Sequence, residues 1–470
     1  MLKKIFLIFS LVVFVSSGIW PQEFGFGFGF GDDENGQAGD AVGGAGSSAL
    51  SGVNKAVSVS ASGEVSASLV GYFEDFSDGA DSVQFGNIFS GKLNFNAQTA
   101  YAEGVINLKL TTTEKPVIID EAYLKAFFGN FEISAGLRKI IWGKADSFGP
   151  LDVINPLDSS QIFTEMADNT SLMGVRIPRP LIHASFRFGQ FSKIEGLFVP
   201  NFEPTRFSKE GKWAPAGSDM ALTMEELLPP GITVNFSFTE PDTTALDYAQ
   251  AGLRFTTTIG SSDIGIQYYF GRLFQPAVKI SVTPVTMTEF NFNADYNYNR
   301  YHQIGLDYAQ DLFGFNIRAE VAANITEDLK GDDGAVYNPS IAWSFGFDRD
   351  LFWGINLNLQ VNENIRLMND KTGSDNYFGN DFDIESGLPV TATQLTATLF
   401  KKFLRDELEL RASVVWGIED NDCAIIPALI WTKDDFKAAL SAGFFAGDSK
   451  GQLGQYKDNN FLKASLTYTF

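Results

Sequence analysis

Charged side chains that stand against an apolar pattern are the first candidates for chemistry in this sequence. They gather between Phe131 and Asp158 (FEISAGLRKIIWGKADSFGPLDVINPLD) and just beyond. Read with period two, Phe131, Ile133, Ala135, Leu137 and Ile141 share one face, and Glu132, Ser134, Gly136, Arg138 and Trp142 share the other. Lys139 breaks the apolar face. Lys144, Asp146, Asp152 and Asp158 follow, set among the turn dipeptides Gly149-Pro150 and Asn155-Pro156. Further on, Arg176 opposes the parity of Met173, Val175 and Ile177, and Arg187, Lys193 and Glu195 oppose their own apolar neighbours in the same way. Fixed charges of both signs sort solutes by charge wherever a path narrows. For Asp146, Asp152, Asn155 and Asp158 the competing reading is that they cap and brace the turns through bonds to backbone. Arg138 has its own alternative, an ion pair with Glu121 on the preceding strand. The apolar residues Leu151, Val153, Ile154 and Leu157 require a surface to pack on.

Other chemistries find little support. His183 and Ser185 lie two apart on one strand face, but no nucleophile elbow accompanies them, so no enzyme is expected. The two histidines and the single Cys423 leave no metal-ligand set and no disulfide framework, and no cofactor is expected. The acidic run Asp375–Asp383 lacks EF-hand spacing and reads as a solvated loop. FGFGFGFG (Phe24–Gly31) is followed by neither the Lys nor the Ser/Thr of a phosphate loop. A formal charge of −22 makes nucleic acid a poor partner.

The elements that must position these charges are strands. From about Lys55 onward, alternating segments are separated by Gly, Asn and Asp turns. Leu93, Phe95 and Ala97 alternate with Asn94, Asn96 and Gln98; Phe315, Ile317, Ala319 and Val321 with Asn316, Arg318 and Glu320; Trp353, Ile355, Leu357, Leu359 and Val361 with Asn356, Asn358, Gln360 and Asn362. Phe290, Phe292, Ala294, Tyr296 and Tyr298 alternate with Asn291, Asn293, Asp295 and Asn297 in the same fashion. The segments have the length of tilted membrane strands. Tyr72, Phe73, Tyr101, Trp142, Tyr268, Tyr269, Trp353, Trp416, Trp431, Tyr468 and Phe470 stand at strand ends, as interfacial girdles require. Long connections are expected at Lys144–Ser171, Asn201–Pro230 and Asn369–Gly387, the second holding a short helix over Met220–Leu228.

The stretch Phe461–Phe470 (FLKASLTYTF) carries a family resemblance. Leu466, Tyr468 and Phe470 alternate with polar residues up to an aromatic last residue. The chain resembles the bacterial outer-membrane β-barrel proteins, whose closing strand ends in this way. The resemblance implies an all-β antiparallel up-and-down transmembrane barrel of about 18 strands, within a range of about 16 to 20. It also implies that the barrel-assembly machinery reads this strand. Gly136–Arg138, Trp142-Gly143, Asp146 and Asp152–Pro156 are similar to the G-x-R-x-x-x-W-G-x-x-D and D-x-x-N-P run of a group of porin-like proteins. That similarity implies a passive or selective channel for small solutes, with a homotrimer as the common assembly. Arg138, Lys144, Asp146, Asp152, Asp158, Arg176 and Arg187 are then the expected pore constriction, around a loop at 144–171. A surface adhesin or structural barrel without an open pore is the alternative. Met1–Gln22 has the layout of a secretory signal peptide: Lys3 and Lys4, an apolar core, then small residues. Residues 23–54 read as a Phe/Gly-rich and then Gly/Ala/Ser-rich flexible leader, and 55–470 as the barrel, in contact with outer-membrane lipid.

Overall fold

The computed structural model describes residues 57–73, 84–112, 115–160, 162–168, 172–209, 211–215, 231–372 and 383–470. The signal peptide, the leader and the helix expected over Met220–Leu228 lie outside them. In chain order the strands are β1 (Ser58–Tyr72), β2 (Gln84–Gln98), β3 (Ala102–Thr111), β4 (Val117–Phe128), β5 (Phe131–Arg138), β6 (Arg179–Phe188), β7 (Ser192–Val199), β8 (Thr233–Thr239), β9 (Gln250–Ile259), β10 (Ser262–Arg272) and β11 (Ala277–Pro284). They continue with β12 (Glu289–Asn297), β13 (Arg300–Leu312), β14 (Phe315–Thr326), β15 (Ser340–Asp350), β16 (Ile355–Arg366), β17 (Thr391–Phe403), β18 (Leu408–Gly417), β19 (Asp422–Lys433), β20 (Phe436–Ala446) and β21 (Phe461–Thr469). Eighteen of them form one antiparallel sheet, and β21 pairs with β1 to close it. The expected architecture and strand number are those observed. Short turns such as 129–130, 260–261 and 313–314 alternate with long connections such as 139–178, 200–249 and 273–299 at the opposite end.

Closure depends on Phe470 and Gly63. The amide of Gly63 donates to the Phe470 carbonyl at 2.8 Å, and the Phe470 amide donates back at 2.9 Å. A Cβ on Gly63 would stand 2.7 Å from both the Lys92 carbonyl oxygen and the Phe470 ring. Gly63→Val is therefore expected to destabilise closure by about 1–3 kcal/mol through overpacking. The check is the heat-modifiable gel band of the refolded protein, which should weaken in the variant; full wild-type yield would show that the seam tolerates a side chain there.

The two faces of the wall are inverted relative to a water-soluble barrel. Outward residues are apolar and exposed, among them Val65, Leu69, Phe95, Leu124, Ile182, Ile304 and Leu466. Inward residues are polar and buried, among them Arg254, Gln267, Gln303, Asp307, Glu320, Asn358, Gln360 and Lys463. A sheet with no edge satisfies every backbone group internally, and an apolar outer band meets hydrocarbon without cost. This is a transmembrane β-barrel that crosses by strands.

Two expectations need correction. Phe290–Tyr298 forms a strand, β12, but not a barrel strand. It pairs with β11 and, in parallel, with β8 in a separate three-stranded sheet. Phe292 and Ala294 pack with Val234 and Ile280 of that sheet. Alternation reveals one apolar face, not whether lipid or protein covers it. The aromatic girdle is also partly misassigned. Tyr268, Trp416, Trp431, Tyr468 and Phe470 do face outward and are exposed, whereas Trp142 and Tyr269 are buried in one internal cluster and Tyr72 packs against another.

Candidate functional site: a loop seated across the lumen

The 40-residue connection 139–178 joins β5 to β6, and its side chains and backbone are held by inward residues of opposite walls. At one wall, Trp142, Val153 and Ile154 pack with Leu181 of β6, Leu197 and Val199 of β7, Tyr269 of β10 and Tyr301 of β13. At the other, Phe148, Ile162, Phe163 and Met166 pack with Val415, Ile426, Phe445, Phe461 and Val70 of β18, β19, β20, β21 and β1. The apolar residues in the loop thus find the barrel interior as their surface.

Between these clusters the loop backbone is taken up by wall side chains. The Glu320 carboxylate accepts the amides of Lys144, Ala145 (2.7 Å) and Leu151 (3.2 Å). Gln360 accepts the amides of Asp146 (2.9 Å) and Ser147 (3.0 Å). Gln303 and Gln267 donate to the carbonyls of Pro150 and Leu151, each at 3.0 Å. Buried amides need acceptors once water is removed, and a carboxylate is the strongest available. Gly143 and Gly149 allow this approach, since a Cβ at either would run into Glu320. On β13, a Cβ at Gly305 would overlap Leu151.

The short helix α1 (Ile162–Met166) lies at the far wall. Lys463 of β21 donates to the Thr164 carbonyl at 2.7 Å and pairs with Asp168 at 2.8 Å. Four of the α1 side chains are buried, while Glu165 is exposed to the lumen. Loss of bulk water around it inside the barrel raises its carboxyl, against the opposing pull of Lys109, Lys463 and Lys92. Lys109 of β3 donates to the Gly174 carbonyl at 2.6 Å and lies 3.6 Å from Asp120.

The charged residues singled out from the sequence occupy different places. Asp146 is buried at the loop–wall contact, bonded to Arg318 at 2.6 Å and Asn358 at 2.9 Å. Asp152 pairs with Arg176, and both are buried within the loop. Burial pushes the carboxyls of Asp146 and Asp152 up to about 6, against the opposing pull of Arg318 and Arg176. Asn155 ties the ends of the loop together: it accepts the Ile140 amide at 2.7 Å and donates to the carbonyls of Arg138 and Ile177. Asp158 accepts the Ser160 amide at 3.2 Å and lies 4.0 Å from Arg206. Lys144 lies 3.8 Å from Asp263.

Arg138 does not pair with Glu121. Its guanidinium sits 4.4 Å over the Tyr123 ring and donates to Ser134 at 2.6 Å, while Glu121 accepts from the Lys139 amide and from Asn107. Lys139 turns inward, buried against Asp120 at 2.6 Å. It breaks the apolar parity because β5 has ended at Arg138. Met173–Ile177 is likewise no strand, since 172–175 is a 3-10 turn. Arg187 pairs with Glu132 at 2.9 Å near the 189–191 turn, at the end of the barrel remote from the loop. Glu320, Gln360, Lys109 and Glu165 escaped the sequence reading. The alternation of Phe315–Val321 puts Glu320 inward, but no sequence signal says which inward residue meets the loop.

A family model described as "Protein of unknown function (DUF1302)" matches residues 64–376. No curated protein matches the chain. Among solved structures, Pseudomonas aeruginosa OccK9 (OpdG) is 11% identical, with 88% of this chain and 98% of that one covered and a TM-score of 0.47. A BenF-like porin from Pseudomonas fluorescens Pf-5 is 10% identical over 88% and 98%, also at 0.47. Salmonella typhi OmpF is 8% identical over 88% and 97%, at 0.41.

Proposed function

We propose, from the premise that the chain belongs to the DUF1302 family of proteins of unknown function, that it is an outer-membrane channel for small solutes whose lumen is narrowed by residues 139–178. The observation that carries this reading is the seating of the loop on opposite walls through Glu320, Gln360 and Lys463. A polar inner face with a loop across it leaves a restricted wet path, and charges bordering that path decide which ions cross. Glu165 and Lys109 are the opposed charges at this border. Arg138 adds a cation held over Tyr123. Asp146, Asp152, Asp158 and Arg176 serve by holding the loop in place, and Lys144 joins them through its backbone amide. Arg187 acts on the vestibule at the short-turn end. The long connections then face outside and the short turns the periplasm.

A closed barrel serving as a surface binding protein is the second reading. It is favoured by the three-stranded sheet that stands apart from the barrel's hydrogen bonding. Single-channel recording of the refolded full barrel in a planar bilayer separates the two. Stepwise conductance that increases on deletion of Asp146–Asp158 supports the narrowed channel. A folded barrel that passes no current, with or without the deletion, supports the second reading.

A further inference from the structure

The outer surface carries a second feature, at the long-connection end of β7, β9, β10 and β13. Arg300 and His302 have the outward parity of Ile304 and Leu306, which are 54% and 45% exposed. A cleft of about 260 Å³ lies beside Arg300, lined by the apolar Phe198, Leu246 and Phe270 and by Asp247. Leu246 is 75% exposed.

Arg272 and Arg300 stand directly opposite each other across the β10–β13 pairing. Two like charges in that position repel. Both guanidiniums donate to one neutral acceptor, the Asp247 carbonyl, at 2.9 and 3.0 Å. Arg272 also donates to the Tyr298 carbonyl at 2.5 Å and lies 3.8 Å over the Tyr248 ring. Among the described residues neither arginine makes an ion pair with a carboxylate, and the Nε of each is buried without a hydrogen-bond partner. Glu327 and Asp247 attract Arg272 without pairing with it: Glu327 accepts the Arg300 backbone amide at 3.3 Å, and Asp247 meets both guanidiniums through its carbonyl. In a chain of charge −22, two adjacent arginines without a carboxylate partner mark a place left for an anion from outside.

We infer that this cleft holds a phosphorylated diacyl lipid of the surrounding leaflet, its phosphate on Arg300 with Arg272 behind and an acyl chain along Phe198, Leu246 and Phe270. The cleft opens on the lipid-facing side, where such a lipid is the anion at hand. Guanidinium suits a phosphate through paired, charge-assisted hydrogen bonds. The apolar walls add what a free phosphate could not use.

The test is native mass spectrometry of the full folded barrel in a neutral detergent, offered phosphatidic acid and the phosphate-free diacylglycerol of equal chain length. Phosphatidic acid is expected to be retained about tenfold better, the gain of one charge-assisted contact, and Arg300→Gln is expected to bring the ratio close to one. Equal retention of the two lipids by the wild type overturns the inference, as does an unchanged ratio in a folded Arg300→Gln. Inorganic phosphate supplies a check that needs no variant. If millimolar phosphate displaces the lipid fully, the site is a free-anion site and the inference fails; if the lipid persists, the acyl contacts are upheld.

Discussion

Glu320→Ala is expected to release the stretch 143–151 from the barrel wall and to raise single-channel conductance. Three loop amides converge on this one carboxylate, those of Lys144, Ala145 and Leu151. Without it they face a wall with no acceptor and a gap where the side chain stood. Bonds to a charged acceptor contribute about 1.5–3 kcal/mol each and are not fully additive, so a loss of about 3–5 kcal/mol in seating is reasonable for the set. That changes the ratio of seated to released loop by a factor of about 10² to 10⁴. Gln360 and the Arg318–Asp146 contact still hold the next residues, so the loop should loosen rather than leave. Glu320→Gln keeps one carbonyl acceptor and is expected to show a smaller rise. Recordings of both variants, with barrel integrity read from gel mobility, decide the matter. Identical conductance in wild type and Glu320→Ala would mean that the seated loop does not limit flow.

Glu165→Lys should move ion selectivity toward anions more than any change at the residues first suspected. Glu165 is the α1 side chain exposed to the lumen, and Lys109, Lys463 and Lys92 act on it from the wall. Asp146 and Asp152 are buried and bonded to arginines, so on the proposed path an ion would feel them as neutralised pairs. A unit charge about 7 Å from a passing ion in a water-like medium is worth about 0.6 kcal/mol. Reversing the charge changes this by about 1.2 kcal/mol for each ion, about sevenfold up in occupancy for anions and about sevenfold down for cations, so about fiftyfold in their ratio. Reversal potentials in a salt gradient report the change, which should shrink as ionic strength rises. An equal shift from Asp152→Asn, with none from Glu165→Lys, would transfer the role to the loop's internal pair.

Several of these features are legible in the amino-acid sequence itself. The period-two runs mark strands because a pleated chain must turn alternate side chains to opposite faces, and the segment lengths match a tilted membrane crossing. The alternation of Leu466, Tyr468 and Phe470 with polar residues marks a strand, and β21 pairs with β1. Polar inward faces, such as Asn358, Gln360 and Asn362 on β16, follow from parity alone. So does the need of Leu151, Val153 and Ile154 for a surface.

Tertiary structure decided what each face and each charge meets. Phe290–Tyr298 has the same alternation as a barrel strand, yet its apolar face packs on Ile280 and Val234 in a separate sheet, because period two is blind to the covering partner. Arg138 was a candidate for Glu121, but Glu121 is taken by the Lys139 amide and Asn107, and the guanidinium turns to Tyr123. Asp146, Asp152 and Glu165 are all carboxylates in one connection. Two are spent on arginines and one faces the lumen, a division set by where the loop lands on strands far away in sequence. Glu320 lies 176 residues from Lys144, and only closing the sheet into a ring puts a β14 side chain beneath a loop that starts at β5. Alternation within a strand is local physics and is written in neighbouring residues; contact across a lumen depends on the ring as a whole.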